Sequence, residues 1–158
     1  MARQLSPNFT LEEFTRSQTA ARKGIDNTPD ARILTNLRHL AAQLERVRTL
    51  LGNVPIHVSS GFRSAALNKA VGGSRKSAHM LGLAIDFTAP NFGTVLQTAK
   101  AVAQSDIEFD QIIHEYGSWV HLGVAAPGTQ GARQLLTIAH GTGYLPGLKK
   151  IGYRLPRS

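Results

Sequence analysis

Cysteine is absent from the 158-residue chain, which excludes disulfides, thiolate metal sites and a cysteine nucleophile together. Any bound metal would have to be held by His, Asp or Glu. No run of roughly eighteen apolar residues occurs, so a membrane-spanning helix is excluded. The opening stretch, Met1 to Phe14, has no apolar run behind its positive residue, and a secretory signal peptide is not expected. Acidic residues are scarce. Ten Asp and Glu stand against 18 Lys and Arg, for a formal charge of +8. Acids are missing altogether after Glu115, where residues 116–158 carry Arg133, Lys149, Lys150, Arg154 and Arg157. Such a balance favours polyanionic surroundings (nucleic acid, anionic lipid or an anionic cell wall), the plain alternative being a solvated surface.

What is present reads as one globular domain over residues 1–158. The chain is 42% apolar and 18% charged, long enough for one real core and short for two. No repeat, low-complexity tract or linker interrupts it. Asn8 or Thr10 is placed to cap a short helix, Thr10 and Glu13 forming a capping-box pattern. Arg22 to Asn27 reads as loop. From Asp30 to about Leu51, Ile33, Leu34, Leu37, Leu40, Ala41, Leu44, Val47 and Leu51 recur at helical spacing, with Pro29 at the start and Gly52-Asn53 at the end. Pro55–Ser60 and Leu83–Phe87 read as strands, Ser64–Val71 as one or two helical turns, and Asn91–Gln104 as a second amphipathic helix. Asp110–Glu115 and Trp119–Gly123 form a hairpin pattern around Tyr116-Gly117-Ser118, and Leu135–Ala139 adds a last strand before a turn-rich Leu145–Leu148. The expected class is α+β, a mainly antiparallel sheet with helices packed on one side.

Of the six histidines, His79, His114 and His121 lie near acids on strand ends and loops, where functional groups concentrate. His79 and Asp86 are separated by six residues that include Gly82, so a loop His and a strand Asp can point at one place. His121 lies on another strand. Two imidazoles and a carboxylate make a catalytic zinc shell with the fourth position open, although spacing alone gives such a pair often by chance.

Context adds to the spacing. Ser59-Ser-Gly-Phe-Arg63-Ser with Asn68, Gly72-Gly73-Ser74, Ser77-Ala-His79, Gly82, Ala84 and Asp86-Phe87 resembles the zinc D-Ala-D-Ala carboxypeptidase family of metallopeptidases. Asp110–Glu115 followed by Trp119-Val120-His121 resembles the branch of small carboxypeptidases and phage or bacterial peptidoglycan endopeptidases. Phe9–Phe14, Ser17, Ala20 and Asn27-Thr-Pro29 are similar to family members as well, so the resemblance runs from about residue 8 to 124 and leaves a basic extension, 125–158, uncovered.

The resemblance implies Zn2+ held by His79, Asp86 and His121, and Arg63 on the substrate carbonyl or developing oxyanion. Ser77, Tyr116 and Trp119 are expected to contact substrate. The general base departs from the family's patterns, because Ser118 and Tyr116 stand where members place an acid or a His. Two turn lengths are compatible with the sequence. A three-residue turn opposes Glu115 to Trp119 and puts Glu115 on the face of His121. A two-residue turn, Gly117-Ser118, puts His114 and Tyr116 there instead. Glu115 is the expected base, a carboxylate being the commoner base beside zinc. Its alternative role is to orient a metal ligand.

The implied function is a zinc-dependent peptidoglycan peptidase that cuts an amide of the stem peptide or crosslink, in the manner of a phage endolysin or virion lysin. It would be made in the host cytoplasm and act on the cell wall, released by a holin or carried by the virion. Bacterial peptidoglycan is the expected partner, with attraction to the anionic envelope, no nucleic acid, and a monomeric state. The rival readings are a catalytically impaired wall-binding protein and a basic nucleic-acid-binding module. Against the latter stands the lack of an aromatic RNA-binding motif, a zinc finger or a basic helix with interleaved aromatics.

Overall fold

A computed structural model describes residues 3–152. Arg154 and Arg157 of the basic extension lie outside the described residues. Two short antiparallel strands, β1 (Gln4–Ser6) and β2 (Phe9–Thr10), open the chain and lead into α1 (Leu11–Thr15). Thr10 is the cap. Its hydroxyl accepts the Glu13 N–H at 3.2 Å, and Glu13 accepts the Thr10 N–H at 3.1 Å. Asn8 instead binds the Glu45 carboxylate through its backbone and its side chain.

A second short helix, α2 (Gln18–Lys23), corrects the loop expected from Arg22, since Arg22 and Lys23 are helical and the loop begins at Gly24. Ser17 caps the start, and Gly24 at φ 62° ends it. Only Ala20 of this helix is buried, so no apolar stripe marked it in the sequence. The long helix α3 (Ala31–Leu50) begins where Asp30 accepts the Ile33 N–H at 2.9 Å. Pro29 therefore precedes the cap. Leu37, Leu40, Ala41, Leu44 and Val47 form its buried stripe.

The remaining elements are β3 (His57–Ser60), α4 (Ala65–Ala70), a 3-10 turn (Ala78–Leu81), β4 (Ala84–Thr88), α5 (Val95–Ala103), β5 (Gln111–Glu115), β6 (Trp119–Gly123), β7 (Gln134–Ile138) and β8 (Leu145–Pro146). The main sheet runs β3-β4-β6-β5-β7-β8, and every pairing is antiparallel except β5 with β7. The fold is α+β. β8, within the stretch expected to be turn, pairs with β7.

Side chains alternate across the sheet, and this alternation divides core from site. Ile85, Phe87, Val120, Leu122 and Ile112 lie on one face, joined in a single buried cluster with the α3 stripe and with Ala99 and Val102 of α5. Each large side chain fully buried there contributes roughly 1.5–3 kcal/mol. Asp86, His121, Ile113 and Glu115 take the other face, as their pairings require. The α1 region locks onto the sheet edge through Gly61. The Phe62 N–H donates to the Phe14 carbonyl at 2.7 Å, and a Cβ on Gly61 would collide with that same carbonyl.

Overpacking at a backbone contact of this kind costs about 1–3 kcal/mol. Gly61→Ala should therefore lower the urea midpoint by that equivalent with an unchanged m-value. A variant as stable as the wild type would mean that the Phe14 contact yields freely.

Candidate metal centre

Three elements bring the expected ligands together. Asp86 on β4 and His121 on β6 are direct cross-strand partners. His79 comes from the 3-10 turn, which Ser77 caps and Gly82 ends at φ 70°. A side chain at Gly82 would be strained by that backbone and would crowd Ile33 and Leu37 of α3. All three ligand residues are buried, at 2% (His79), 8% (Asp86) and 8% (His121) exposure.

Asp86 Oδ1 lies 3.0 Å from His121 Nδ1 and 3.3 Å from His79 Nε2, and the three donor atoms fall within 4.8 Å of one another. Donors around a tetrahedral ion with bonds of about 2.0–2.1 Å stand roughly 3.3 Å apart, so the set fits a four-coordinate metal. The His79 ring is also held in a fixed orientation. Its Nδ1 lies 2.8 Å from the Gly61 carbonyl. A carbonyl only accepts, so Nδ1 carries a proton, and Nε2 is the ring nitrogen left to face the site. Burial alone would push the Asp86 carboxyl up. Hydrogen bonds from His121 and His79, with their charge, outweigh it and hold the carboxyl well below the usual carboxylate range.

The β5–β6 turn is the three-residue one, with Glu115 opposite Trp119. Tyr116 (φ 57°) and Gly117 (φ 66°) make the reversal, and Ser118 N–H closes it onto the Glu115 carbonyl at 2.9 Å. Glu115 consequently sits on the metal face, Oε1 being 3.8 Å from His121 Nδ1. The Trp119 indole N–H donates to Oε2 at 2.9 Å and fixes the carboxylate. Burial pushes the Glu115 carboxyl up from its ordinary value, aided by the Asp86 charge and opposed by His121, Trp119 and Arg63. His114 faces the core side, where its Nδ1 meets the Lys149 carbonyl at 3.0 Å.

Arg63 approaches from the loop after β3. Its backbone N–H donates to the His79 carbonyl at 3.1 Å, and Nη2 donates to Ser77 Oγ at 3.4 Å. Ser77 Oγ also accepts the His79 N–H at 3.2 Å. Asn27 staples the Arg63 loop, donating to the Thr15 and Phe62 carbonyls and accepting the Ser64 N–H at 2.7 Å. Burial lowers the proton affinity of Arg63 against the pull of Asp86 and Glu115, and the guanidinium stays charged.

These groups line a cleft of about 810 Å³ together with Tyr116 and Trp119, whose rings lie 5.6 Å apart. Tyr116 also packs on His140 at 4.7 Å. Tyr144, Gln134 and Leu136 complete the wall from the C-terminal segment, and the sequence reading missed them. Tyr144 had one visible signal, an aromatic residue inside a glycine-rich turn. Its phenol is pushed up by burial and by the Glu115 charge, which places it within electrostatic reach of that carboxylate.

A metal that binds only the folded protein stabilises it by about 2.7 kcal/mol at one hundred times its Kd. Titrating a divalent transition metal into stripped protein should raise the unfolding temperature, saturating at one ion per chain. Asp86→Ala should abolish the rise, and an equal rise in that variant would place the ion elsewhere.

A family model described as Peptidase M15 matches residues 7–123. The zinc D-Ala-D-Ala carboxypeptidase of Streptomyces albus G is 36% identical over 86 residues, which cover 54% of this chain and 33% of that protein. The match thus spans about a third of the relative's length. Because the family match runs through the whole of the His79–Asp86–His121 constellation and most of the sheet that holds it, the chain belongs to the peptidase M15 family.

Proposed function

We propose that this protein is a zinc-dependent peptidase acting on bacterial peptidoglycan, hydrolysing an amide of the stem peptide or crosslink. The observation that carries the reading is a buried His-Asp-His donor set in one cleft with a carboxylate, Glu115, that Trp119 holds in place. The name of the Streptomyces albus G relative supports the metal and the substrate class. The charge of +8 supports attraction to an anionic wall, strongest at low salt.

His79 Nε2, an Asp86 carboxylate oxygen and His121 Nδ1 would hold the ion. Zinc, when bound, supplies Lewis acidity and eases loss of a proton from water near neutral pH. Glu115 Oε1 takes that proton as the water oxygen adds to the scissile carbonyl carbon. The Arg63 guanidinium faces the negative charge that gathers on the carbonyl oxygen. When the C–N bond breaks, Glu115 returns the proton to the departing amine, leaving a free amine and a carboxylic acid that gives up its own proton to the amine or to solvent. Trp119 keeps the Glu115 carboxylate aimed through both transfers. Tyr116 and Ser77 border the peptide's path, Ser77 by holding Arg63.

Glu115→Gln should retain zinc and stability while turnover falls by roughly 10²–10⁴. His114→Gln, altered on the opposite face, should leave catalysis near wild type once its folding is confirmed. A tolerated Glu115→Gln would overturn the assignment of the base. Arg63→Ala should keep zinc and lose about 100-fold in turnover. Mass spectrometry of muropeptides released from defined walls measures each effect. Wall binding without release by the zinc-loaded wild type would favour the impaired binder instead.

A further inference from the structure

A second cavity of about 370 Å³ adjoins the metal cleft, and the two share Arg63, Val71 and Asp86 as lining residues. Its size lies near the small end of ligand pockets, roughly 300–1,000 Å³, and suits a group of one or two residues. Arg16, at the end of α1, and Arg22, on α2, line it together with polar Ser60 and Thr19. The only acid in its lining is Asp86, which is committed to the imidazoles. Among the described residues neither Arg16 nor Arg22 forms an ion pair. Arg63 between the two cavities also has donor capacity left, since its buried Nε has no hydrogen-bond partner among the described residues. The cavity therefore has an excess of guanidinium donors and no anion of its own.

We propose that this second cavity is a subsite for a free carboxylate of the substrate peptide, read by Arg16 and Arg22 while the scissile amide lies at the metal cleft. The proposal rests on the peptidase reading above and adds what that reading leaves open, the feature of the peptide that is recognised beyond the cut bond. Arginine suits the task, because its planar fork pairs with both oxygens of a carboxylate. A neutral amide in the same place would leave those donors without their charged partner. Two carboxylates of a stem peptide have this chemistry, the C-terminal α-carboxylate and the side-chain carboxylate of an acidic residue.

The test uses the zinc-loaded full chain and the double variant Arg16→Gln/Arg22→Gln, both side chains being exposed and outside the catalytic groups. Hydrolysis is compared for an acyl-peptide with a free C-terminus, its C-terminal amide, and a matched pair carrying internal Glu or Gln. Wild type should prefer one carboxylate form, and which pair responds identifies the source. The double variant should lose roughly 10- to 100-fold in kcat/KM on that form, as expected for lost charge-assisted hydrogen bonds, with no change on its neutral partner. Equal losses on both partners, or no loss on either, would overturn the subsite. Calorimetric titration of N-acetyl-D-alanine and N-acetyl-D-glutamate, each against its amide, gives a readout independent of turnover. Carboxylate-selective binding that the double variant lacks sustains the subsite even if no peptide is cut. Binding indifferent to the carboxylate or to the variant removes it even if peptides are cut.

Discussion

The contact between Asp86 and the two imidazoles is the constraint on which the rest of the site depends. A carboxylate at 8% exposure is costly unless it is paired. His121 Nδ1 at 3.0 Å and His79 Nε2 at 3.3 Å supply that pairing, and a bound cation would take over the same role. Binding the ion would displace the proton that His121 shares with Asp86, so metal affinity and protonation are coupled there. Removing Asp86 would take the carboxylate from both buried imidazoles at once.

The hydrophobic core enforces this contact from the far side of the sheet. Ile85 pairs with Leu122 and Phe87 with Val120, both pairs facing the helices, so Asp86 must meet His121 on the other face. A slip of one residue would bury the ligands under α3 and α5 and expose the apolar set. His79 is held from a third direction, because Gly61 presents the carbonyl that orients its ring while passing tightly over Phe14. The small N-terminal helices are thus part of the site's support. Glu115 inherits its position from the same register and its raised proton affinity from burial beside Asp86, which suits the proton-transfer role proposed for it.

Much of this was legible in the sequence, and the pattern of success has a physical basis. The Thr10–Glu13 capping box, the α3 stripe and the short apolar strand runs of β4, β5 and β6 are local signals, readable over a few residues. The ligand residues were legible through their motifs. The choice between Glu115 and His114 turned on the turn length, since the sequence allowed two, and the left-handed Tyr116-Gly117 reversal makes it three residues. α2 was missed because one buried alanine leaves no periodicity. The parallel β5–β7 pairing, the Tyr144 wall and the cavity between Arg16, Arg22 and Arg63 arise from contacts between distant segments. No window of sequence contains them.

The central claim is that one sheet face and one short turn build a mononuclear metal site from His79, Asp86 and His121. Anomalous diffraction at the zinc edge from crystals of the zinc-loaded protein tests it most directly. The account predicts one strong peak per chain, at about 2.0–2.2 Å from His79 Nε2, an Asp86 carboxylate oxygen and His121 Nδ1, with Glu115 close by. A peak bonded through a different set of residues, or no ordered peak at this face, would contradict it.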